Sequence, residues 1–345
     1  MNHLDKIWSG NLPLTTEIAG WGMSLPATIR TNTDLEESVD TSDEWIQSRT
    51  GIRERRIAND NETTAMLALQ AGLQAIRTAE IPPIQIDLII VATITPDYGF
   101  PAVANTVQHA LGAANAAAFD INAACTGFVY GISIADGLIQ SGHYRTILLI
   151  GAETMSRIVD WTDRATCVLF GDGAGAVVLR GSQNTQGILS TTIHSDGAGA
   201  HLLFRPGSAG YQPASNGIIK SESAYIKMDG REVYKFAIRT MTEATLETLA
   251  KAGLKVEEVD LFIPHQANIR IIDAATKQLH LDPSKVFTNV SRYGNTSAAS
   301  IPIALCEAVD AGLIKQGDKL LLVAFGGGLA WGGVAMEWSA SPSQS

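Results

Sequence analysis

The chain repeats its own order of structural elements, and this repetition restricts its possible folds more than any other feature. The strand-like run Asp87-Leu-Ile-Ile-Val recurs 173 residues later as Asp260-Leu-Phe-Ile-Pro. The helix that ends Gly137-Leu-Ile-Gln-Ser-Gly recurs 175 residues later as Gly312-Leu-Ile-Lys-Gln-Gly, and an apolar strand follows both copies. Two matches at nearly one offset indicate that a single unit was duplicated.

Each copy alternates short apolar strands with helices, which predicts an α/β fold of two similar halves, each with a mixed sheet layered between helices. At 345 residues the chain is long enough for two such units. The polar stretch SQNTQ follows Gly181 and predicts the boundary. We expect an N-terminal half of residues 1–183 and a C-terminal half of residues 184–345.

Local patterns predict several individual elements. Helices are expected over 41–49, with Thr41 or Ser42 as the N-cap, and over 62–79. The Gly-x-Gly-x-Gly string within residues 170–179 runs into a strand rather than a helix, so it predicts a hairpin turn and not a dinucleotide site.

Composition excludes several classes of protein. A net charge of −10 disfavours nucleic-acid binding, and no apolar run is long enough to cross a membrane. The amino terminus lacks a signal-peptide pattern, so we expect a cytoplasmic protein. Cys125, Cys167 and Cys306 are odd in number and widely spaced, which favours neither disulfides nor a metal site.

Cys125 is the best candidate nucleophile. It follows the apolar run AAFDI and precedes an apolar helix, so it lies at a strand-to-helix turn. There the helix dipole is expected to lower the thiol pKa and favour the thiolate. The alternative is a buried cysteine that acts only as a small apolar residue.

His265 and Asn295 are candidate partners of Cys125. His265 ends a strand and Asn295 lies in a glycine turn before a helix, although a helix-entry or turn role would also explain each of them. Under the duplication, His265 corresponds to Ala92 and Cys125 to Ser300, so the three polar residues are expected to converge between the halves. A thiolate takes up an acyl group, and the imidazole and amide donate hydrogen bonds to an enolate oxygen.

Two irregular segments carry further functional candidates. The glycine run of residues 324–333 offers a backbone N–H, that of Gly328, for an oxyanion hole, unless it is only a tight turn. The irregular stretch 196–223 is either a lid or a surface excursion.

A basic stripe is expected on a helix that begins near Gly230. Its members recur at four-residue spacing, and two later residues extend it; together they are Arg231, Lys235, Arg239, Arg270 and Lys277. In an acidic chain this patch is suited to an acidic partner, or it is an ordinary solvated face.

Over nearly its whole length the chain resembles the β-ketoacyl-acyl-carrier-protein synthase III family, which has the thiolase-like, duplicated αβαβα fold. The resemblance rests on long strings in the order of the family. They are NTDLEESVDTSDEWIQSRTGIRERRIA (32–58), CTGF (125–128), TDRATCVLFGDGAGAVVL (162–179), PHQANIRII (264–272), YGNTSAASIP (293–302) and AFGGGLAWG (324–332). About a dozen residues precede the usual family start.

The resemblance implies a decarboxylative Claisen condensation that begins fatty acid synthesis. Cys125 would be acylated by acetyl-CoA or another short acyl-CoA, and His265 and Asn295 would hold the malonyl thioester of acyl carrier protein (ACP) as carbon dioxide leaves. The N–H groups of Cys125 and Gly328 would form the oxyanion hole. The products would be 3-oxoacyl-ACP, carbon dioxide and coenzyme A (CoA).

The resemblance also implies the surroundings of this site. Trp45 and Arg164 would sandwich the CoA adenine, with Arg49 near a phosphate. Phe100 would enter the acyl pocket of the other subunit of a homodimer, and the basic stripe would bind ACP through Arg231, Lys235, Arg270 and Lys277. No cofactor is implied, since the CoA thioester is a substrate.

Four alternative functions compete with the one that the resemblance implies. A papain-like cysteine protease has Cys, His and Asn in this order, but its motif around the cysteine differs from AACTGF. A thiolase would need a second catalytic cysteine, whereas Cys306 lies in a helical run. A non-catalytic scaffold would not need the intact Cys, His and Asn set. A related synthase that primes a polyketide or other secondary pathway stays open.

Overall fold

A computed structural model describes residues 15–207 and 224–340 of the chain. The predicted amino-terminal extension and residues 208–223 of the irregular stretch 196–223 lie outside the described residues. The first part of that stretch contains a 3-10 helix, Gly197–Leu202, which the Asp196 side chain caps.

Within the described ranges the chain alternates strands and helices in the predicted manner. The strands are β1 (Thr15–Ser24), β2 (Ile29–Thr31), β3 (Glu54–Arg56), β4 (Leu88–Ala92), β5 (Ala117–Ile121), β6 (Thr146–Thr154), β7 (Asp172–Ser182), β8 (Gly187–Ser195), β9 (Leu203–Phe204), β10 (Lys227–Met228), β11 (Leu261–Pro264), β12 (Lys319–Gly326) and β13 (Ala330–Glu337). The helices are α1 (Asn32–Glu36), α2 (Asp43–Thr50), α3 (Thr64–Thr78), α4 (Val103–Leu111), α5 (Gly127–Gln140), α6 (Arg164–Cys167), α7 (Gly230–Ala252), α8 (Ile269–Gln278), α9 (Val290–Tyr293) and α10 (Ser300–Asp310).

Two large mixed sheets repeat one topology. The first has the order β1-β7-β6-β4-β5 and the second the order β8-β13-β12-β11. In both, each of the first three strands is antiparallel to its neighbour, and the fourth strand is parallel to the third. An isolated parallel bridge between Phe262 and Val286 occupies the place that β5 has in the first sheet. The predicted duplication is therefore confirmed in the order and direction of the strands.

Alternate residues of the central strands face opposite layers of helices. In β4, Leu88 and Ile90 pack into a central core with α5 and α10, while Ile89 and Val91 face α3 and α4. The strand β12 divides in the same way between the central core and an outer core with α7 and α8. Because strand side chains alternate in direction, each sheet buries both faces, and the result is the five-layered αβαβα arrangement.

The turns before the two central helices show the duplication most closely. Ala124–Thr126 and Ser297–Ala299 are 3-10 turns 173 residues apart, and each leads directly into its helix. Ala124 and Ser297 have φ values of 47° and 50°, in the left-handed region that non-glycine residues rarely adopt. This register pairs Cys125 with Ala298, so the predicted correspondence with Ser300 is wrong by two residues.

The predicted helix starts agree with the structure, but the glycine string does not. The Ser42 side chain caps α2 and that of Thr63 caps α3. Gly173 and Gly175 lie inside β7 rather than in a hairpin turn. A Cβ atom on Gly175 would lie 2.7 Å from Pro302 and from the Ile303 nitrogen, so the absent side chain lets α10 approach the strand.

The chain passes from one sheet to the other where a boundary was expected. β7 ends at Ser182 in the first sheet and β8 begins at Gly187 in the second. Whether residues 1–183 and 184–345 form separate domains stays a prediction, since α5 and α10 share one core between the sheets.

None of the helices in the described ranges is both long and apolar enough to cross a membrane.

Candidate active site

A cavity of about 860 Å³ opens at the turn that carries Cys125, just before α5. Its wall is mostly apolar and includes Tyr130, Phe170 and Ile226, together with Cys125 and Gly328. Such a cavity can hold a small apolar group within reach of the thiol.

The backbone around Cys125 is closely constrained. β5 leads into the strained turn at Ala124, and α5 begins at Gly127, two residues after the cysteine. The predicted strand-to-helix turn is thus confirmed. Gly326, at the end of β12, lies against it: a Cβ atom there would be 2.8 Å from the Cys125 nitrogen and 3.0 Å from its Cβ. Only glycine lets β12 come this close.

The acidity predicted for the Cys125 thiol is not what the structure shows. Burial raises its pKa to about 12; a hydrogen bond with the Ser297 side chain opposes the rise, and the negative charge of Glu153 adds to it. The expected lowering of the thiol pKa by the helix dipole is therefore wrong, because the loss of solvation on burial raises the pKa by more. The thiol needs a group that takes its proton.

His265 is buried behind the cysteine turn. Its backbone N–H donates to the Val323 carbonyl oxygen of β12 at 2.8 Å, and its ring lies edge-on to Phe325, with 5.3 Å between ring centres. Nδ1 lies 2.6 Å from Oγ of Ser300, which also accepts from the Gln266 N–H at 3.4 Å. The hydroxyl is thus free to donate to Nδ1, and this favours the tautomer with its proton on Nε2. Burial lowers the ring pKa to about 3, so the imidazole is neutral.

Asn295 is held on both its backbone and its side chain. Its N–H donates to the Leu169 carbonyl oxygen at 2.8 Å, and its own carbonyl oxygen accepts from the Gly171 N–H at 3.1 Å. The side-chain Oδ1 accepts from the Ser297 N–H at 2.8 Å. With its oxygen fixed in this way, the amide can offer Nδ2 as a donor.

The three candidate residues lie in segments that pack together, but they do not line the cavity equally. Cys125 and Gly328 are in its wall, whereas His265 and Asn295 are 1% and 7% exposed and are not among the wall residues. Asn295 adjoins the cavity through its bridge to Phe170. Gly328 has a φ of 74° inside the Gly327–Leu329 turn, a conformation natural to glycine. The oxyanion role of its N–H stays a prediction.

Glu153 and Ser297 were not singled out from the sequence. Glu153 ends a long apolar strand, β6, and is completely buried. Its carboxylate accepts from the hydroxyl groups of Thr95 at 2.6 Å, Thr93 at 3.2 Å and Ser297 at 3.0 Å. A charged residue closing a buried strand was the one available signal, since carboxylates are rarely buried without partners.

The residues predicted to bind CoA are brought together at the surface. The guanidinium carbon of Arg164 lies 5.0 Å from the centre of the Trp45 ring, and that of Arg49 lies 6.0 Å from it. Arg164 also donates to the Asp40 carbonyl oxygen at 2.7 Å. Because the guanidinium already covers the ring, an adenine base between them requires Arg164 to move outward.

The predicted basic stripe is exposed on α7 and α8. Its members Arg231, Lys235, Arg239, Arg270 and Lys277 are all exposed. The Arg270 guanidinium lies 5.6 Å from the Tyr234 ring and joins the two helices into one surface. Lys235 forms an ion pair with Glu232 of the same helix at 2.8 Å, so part of its charge is compensated within the chain.

Phe100 and Cys306 differ sharply in exposure. Phe100 is 89% exposed and does not enter the cavity of its own chain. Cys306 is 1% exposed inside α10, and burial raises its pKa, as expected for a core cysteine rather than a second nucleophile.

The amino-acid sequence of the chain matches family models and known proteins. The family model for 3-oxoacyl-[acyl-carrier-protein (ACP)] synthase III matches residues 119–197, and the model for its C-terminal part matches residues 249–338. A β-ketoacyl-ACP synthase III of Caldanaerobacter subterraneus is 52% identical over 322 residues, which cover 93% of this chain and 97% of the relative.

Solved structures show the same likeness. The crystal structure of 3-oxoacyl-ACP synthase III from Aquifex aeolicus is 51% identical, with a TM-score of 0.87 over 94% of this chain and all of the other. The priming β-ketosynthase of the R1128 polyketide pathway is 34% identical, with a TM-score of 0.90 over 97% of this chain and all of the other. The relatives with about half of their residues identical are thus the ACP synthases and not the polyketide enzyme.

Proposed function

The chain belongs to the β-ketoacyl-acyl-carrier-protein synthase III family of condensing acyltransferases, and on that premise we propose the chemistry that its site residues perform. A short acyl-CoA, such as acetyl-CoA, transfers its acyl group to Cys125. Malonyl-ACP then condenses with the acyl-enzyme to give 3-oxoacyl-ACP, carbon dioxide and CoA. This reaction begins fatty acid synthesis.

The first half-reaction makes the acyl-enzyme. The Cys125 sulfur attacks the thioester carbonyl, the bond from that carbonyl to the CoA sulfur breaks, and CoA leaves with a proton. The N–H groups of Cys125 and Gly328 stabilise the oxyanion as it forms. The observation that carries the proposal is the position of Cys125: in the turn just before α5, in the wall of a mostly apolar cavity that Gly328 also lines.

The second half-reaction forms the new carbon–carbon bond. Loss of carbon dioxide from the malonyl group leaves an enolate, whose oxygen accepts hydrogen bonds from Nε2 of His265 and Nδ2 of Asn295. The enolate carbon attacks the acyl carbonyl, and the Cys125 thiolate leaves. The neutral imidazole supports this role, because a buried ring with a pKa of about 3 donates a hydrogen bond without carrying charge.

The same proposal extends to the CoA nucleotide. Trp45 and Arg164 stack on the adenine and Arg49 pairs with a phosphate, since a tryptophan face and a guanidinium plane both bind a base. The CoA thioester is a substrate, and no proposed step uses a cofactor. The cytoplasmic location stays a prediction.

The acidic ACP is proposed to bind the stripe on α7 and α8. Charge reversal of Lys235 and Arg270 together should raise the KM for malonyl-ACP and leave the KM for acyl-CoA unchanged. The matched control is Lys255→Glu, which makes the same kind of charge change on an exposed loop after α7. Equal effects of the stripe and control variants would contradict the assignment.

A homodimer is proposed to form along β5. This strand is the last of its sheet among the described residues, and it exposes Phe119 (37%); Phe100, three residues before α4, is also exposed (89%). A free strand edge with apolar side chains pairs readily with a second copy, which would carry Phe100 toward the partner's cavity. Phe119→Lys should shift the mass found by light scattering from dimer to monomer; a monomeric parent chain would refute the proposal.

Intact-protein mass spectrometry tests the reaction directly. The chain is incubated with a panel of acyl-CoAs, and malonyl-ACP is added afterwards. We expect the mass of one acyl group on Cys125, lost again when malonyl-ACP is added, and no gain for Cys125→Ala. Acylation of the alanine variant at the wild-type level would disprove the nucleophile. Absence of acylation by every CoA thioester would disprove the proposed donor.

A further inference from the structure

Resting on the proposed function, we propose that Glu153 receives, through the hydroxyl of Ser297, the proton that Cys125 loses when it attacks the acyl thioester. The attacking sulfur is buried and must give up a proton where it enters the wall of a mostly apolar cavity. Glu153 and Ser297 form a short path from that sulfur to a buried carboxylate.

The hydrogen bonds of Glu153 suit an ionised acceptor. Oε2 accepts from Thr95 at 2.6 Å, from Thr93 at 3.2 Å and from the Ile94 N–H at 3.1 Å, and Oε1 accepts from Ser297 at 3.0 Å. No arginine or lysine forms an ion pair with it among the residues that the structure describes. A completely buried carboxylate with dipolar donors and no counter-ion is costly to keep charged, so it has a strong tendency to take up a proton.

Ser297 is fixed between Glu153 and the nucleophile. Its N–H donates to Asn295 Oδ1 at 2.8 Å, while its hydroxyl bonds to Glu153 and also interacts with the Cys125 thiol. Its φ of 50° lies in the left-handed region, a backbone conformation that the corresponding residue of the other turn, Ala124, also adopts. The neighbouring Ala298 packs against the start of α5: a Cβ atom on Gly127 would lie 3.4 Å from that of Ala298.

The proposed step moves two protons and balances. The Cys125 S–H bond breaks as the sulfur attacks, and its proton passes to Ser297 Oγ. The hydroxyl proton of Ser297 passes at the same time to Oε1 of Glu153. CoA leaves as a thiolate and takes one proton from solvent. In the second half-reaction the departing Cys125 thiolate recovers a proton from Glu153 along the reverse path.

Electrostatics support the direction of transfer. The negative charge of Glu153 contributes to the raised pKa of the Cys125 thiol, after burial. Protonation of Glu153 removes that repulsion at the moment when the sulfur becomes negative. Burial raises the Glu153 pKa to about 7, against the opposing effect of its hydrogen bonds, so the carboxylate can both accept and return a proton near neutral pH.

The other titratable groups around this path are engaged elsewhere. His265 has a pKa of about 3 and its Nδ1 is bonded to Ser300, so its titration lies far from neutral pH. The Asp97 carboxylate accepts from the N–H groups of Thr64 and Ala65 at the start of α3. The Asp172 carboxylate, on the neighbouring strand β7, accepts from Ser156 and from the Ala58 N–H.

The test measures two reactions of Cys125 against pH: alkylation by iodoacetamide and acylation by acyl-CoA. Above pH 7 Glu153 is ionised and can accept a proton, so both rates should rise through about pH 7 and level off. In Glu153→Gln the inflection should disappear, and both rates at pH 8 should fall about 100-fold, the lower range for loss of a general base. Ser297→Ala should do the same, and the double variant should be no slower than either single variant.

Two control variants distinguish the proposed proton transfer from a general effect of buried charge and from a failure to fold. Asp172→Asn removes a buried carboxylate from the neighbouring strand and should keep the inflection. Thr93→Val removes one donor to Glu153 and should move the inflection to higher pH without abolishing the reaction. This variant keeps the proposal testable if Glu153→Gln does not fold.

Several outcomes would overturn the relay. Faster alkylation in Glu153→Gln would show that the carboxylate only repels the thiolate. An unchanged inflection, or a double variant that loses the product of the two single effects, would also refute it. Alkylation with the expected inflection but no acylation by acyl-CoA would uphold the relay and refute the proposed donor. Acylation by acyl-CoA without the inflection would uphold the donor and refute the relay.

Discussion

Removal of the Ser300 hydroxyl tests how the buried imidazole is oriented. In Ser300→Ala, Nδ1 of His265 loses a partner at 2.6 Å in a region where both residues are almost fully buried. An unsatisfied buried polar group costs about 1–3 kcal/mol. Part of this cost lowers the free energy of unfolding. The rest reduces the preference of His265 for the tautomer with its proton on Nε2.

The two half-reactions should respond differently. His265 is proposed to act on the malonyl carbonyl, so discharge of the acyl-enzyme by malonyl-ACP should slow by about 10-fold for each 1.4 kcal/mol lost in the transition state. We expect a slowing of 10- to 100-fold. Formation of the acyl-enzyme should change by less than about threefold, because Cys125 and its turn keep their contacts.

Single-turnover mass spectrometry measures both steps separately, by the gain and the loss of the acyl mass. Thr248→Ala is the matched control, since it breaks another buried hydroxyl pair, with Thr192 at 2.6 Å, between α7 and β8. The control should lower the melting temperature and leave both steps intact. If Ser300→Ala discharged at the wild-type rate, or lost acylation and discharge equally, the role given to the Ser300 hydroxyl would be wrong.

Three further predictions concern the surroundings of the site. Gly326→Ala should slow acylation at least 10-fold, since its Cβ would displace the Cys125 turn, and displacements near 1 Å cost about 100-fold; Gly137→Ala, which has open space, should leave acylation rates unchanged. Trp45→Ala should raise the KM for acyl-CoA in steady-state assays with little change in kcat. A fall in kcat as large as the rise in KM would contradict adenine stacking. Asp229→Ala removes the N-cap of α7, which accepts from two N–H groups, and should lower the free energy of unfolding in urea by about 1 kcal/mol; unchanged stability would show that the cap is dispensable.

Local sequence patterns predicted those parts of the fold that depend on neighbours in the chain. The strand and helix pattern of each half, the N-cap of α2 and the turn at Cys125 each follow from short-range rules, such as side-chain capping and the period of buried strands. The glycines of β7 were misassigned, because their role depends on α10, which lies more than a hundred residues away. A glycine that admits a distant helix looks in sequence like a glycine in a turn.

The sequence predicted which residues form the site more completely than it predicted their chemistry. The pattern identified Cys125, His265 and Asn295, but the predicted effect on the thiol pKa had the wrong sign, because the pattern shows the helix and not the depth of burial. Glu153 escaped notice since its hydrogen-bond partners come from two segments distant from β6 in sequence: the loop that follows β4 and the turn at Ser297. Polar networks assembled from distant segments leave little trace in a single sequence.

The duplicated turns explain how a symmetric fold produces an asymmetric site. Ala124 and Ser297 occupy the same position of the two turns and share the same strained backbone, with φ of 47° and 50°. In the first half the next residue is Cys125, whereas in the second half the strained residue itself carries the functional hydroxyl. Because both turns precede central helices in one core, they meet face to face. Duplication therefore brought two copies of one backbone turn together, and side-chain differences assigned the nucleophile to one copy and its hydrogen-bonding partner to the other.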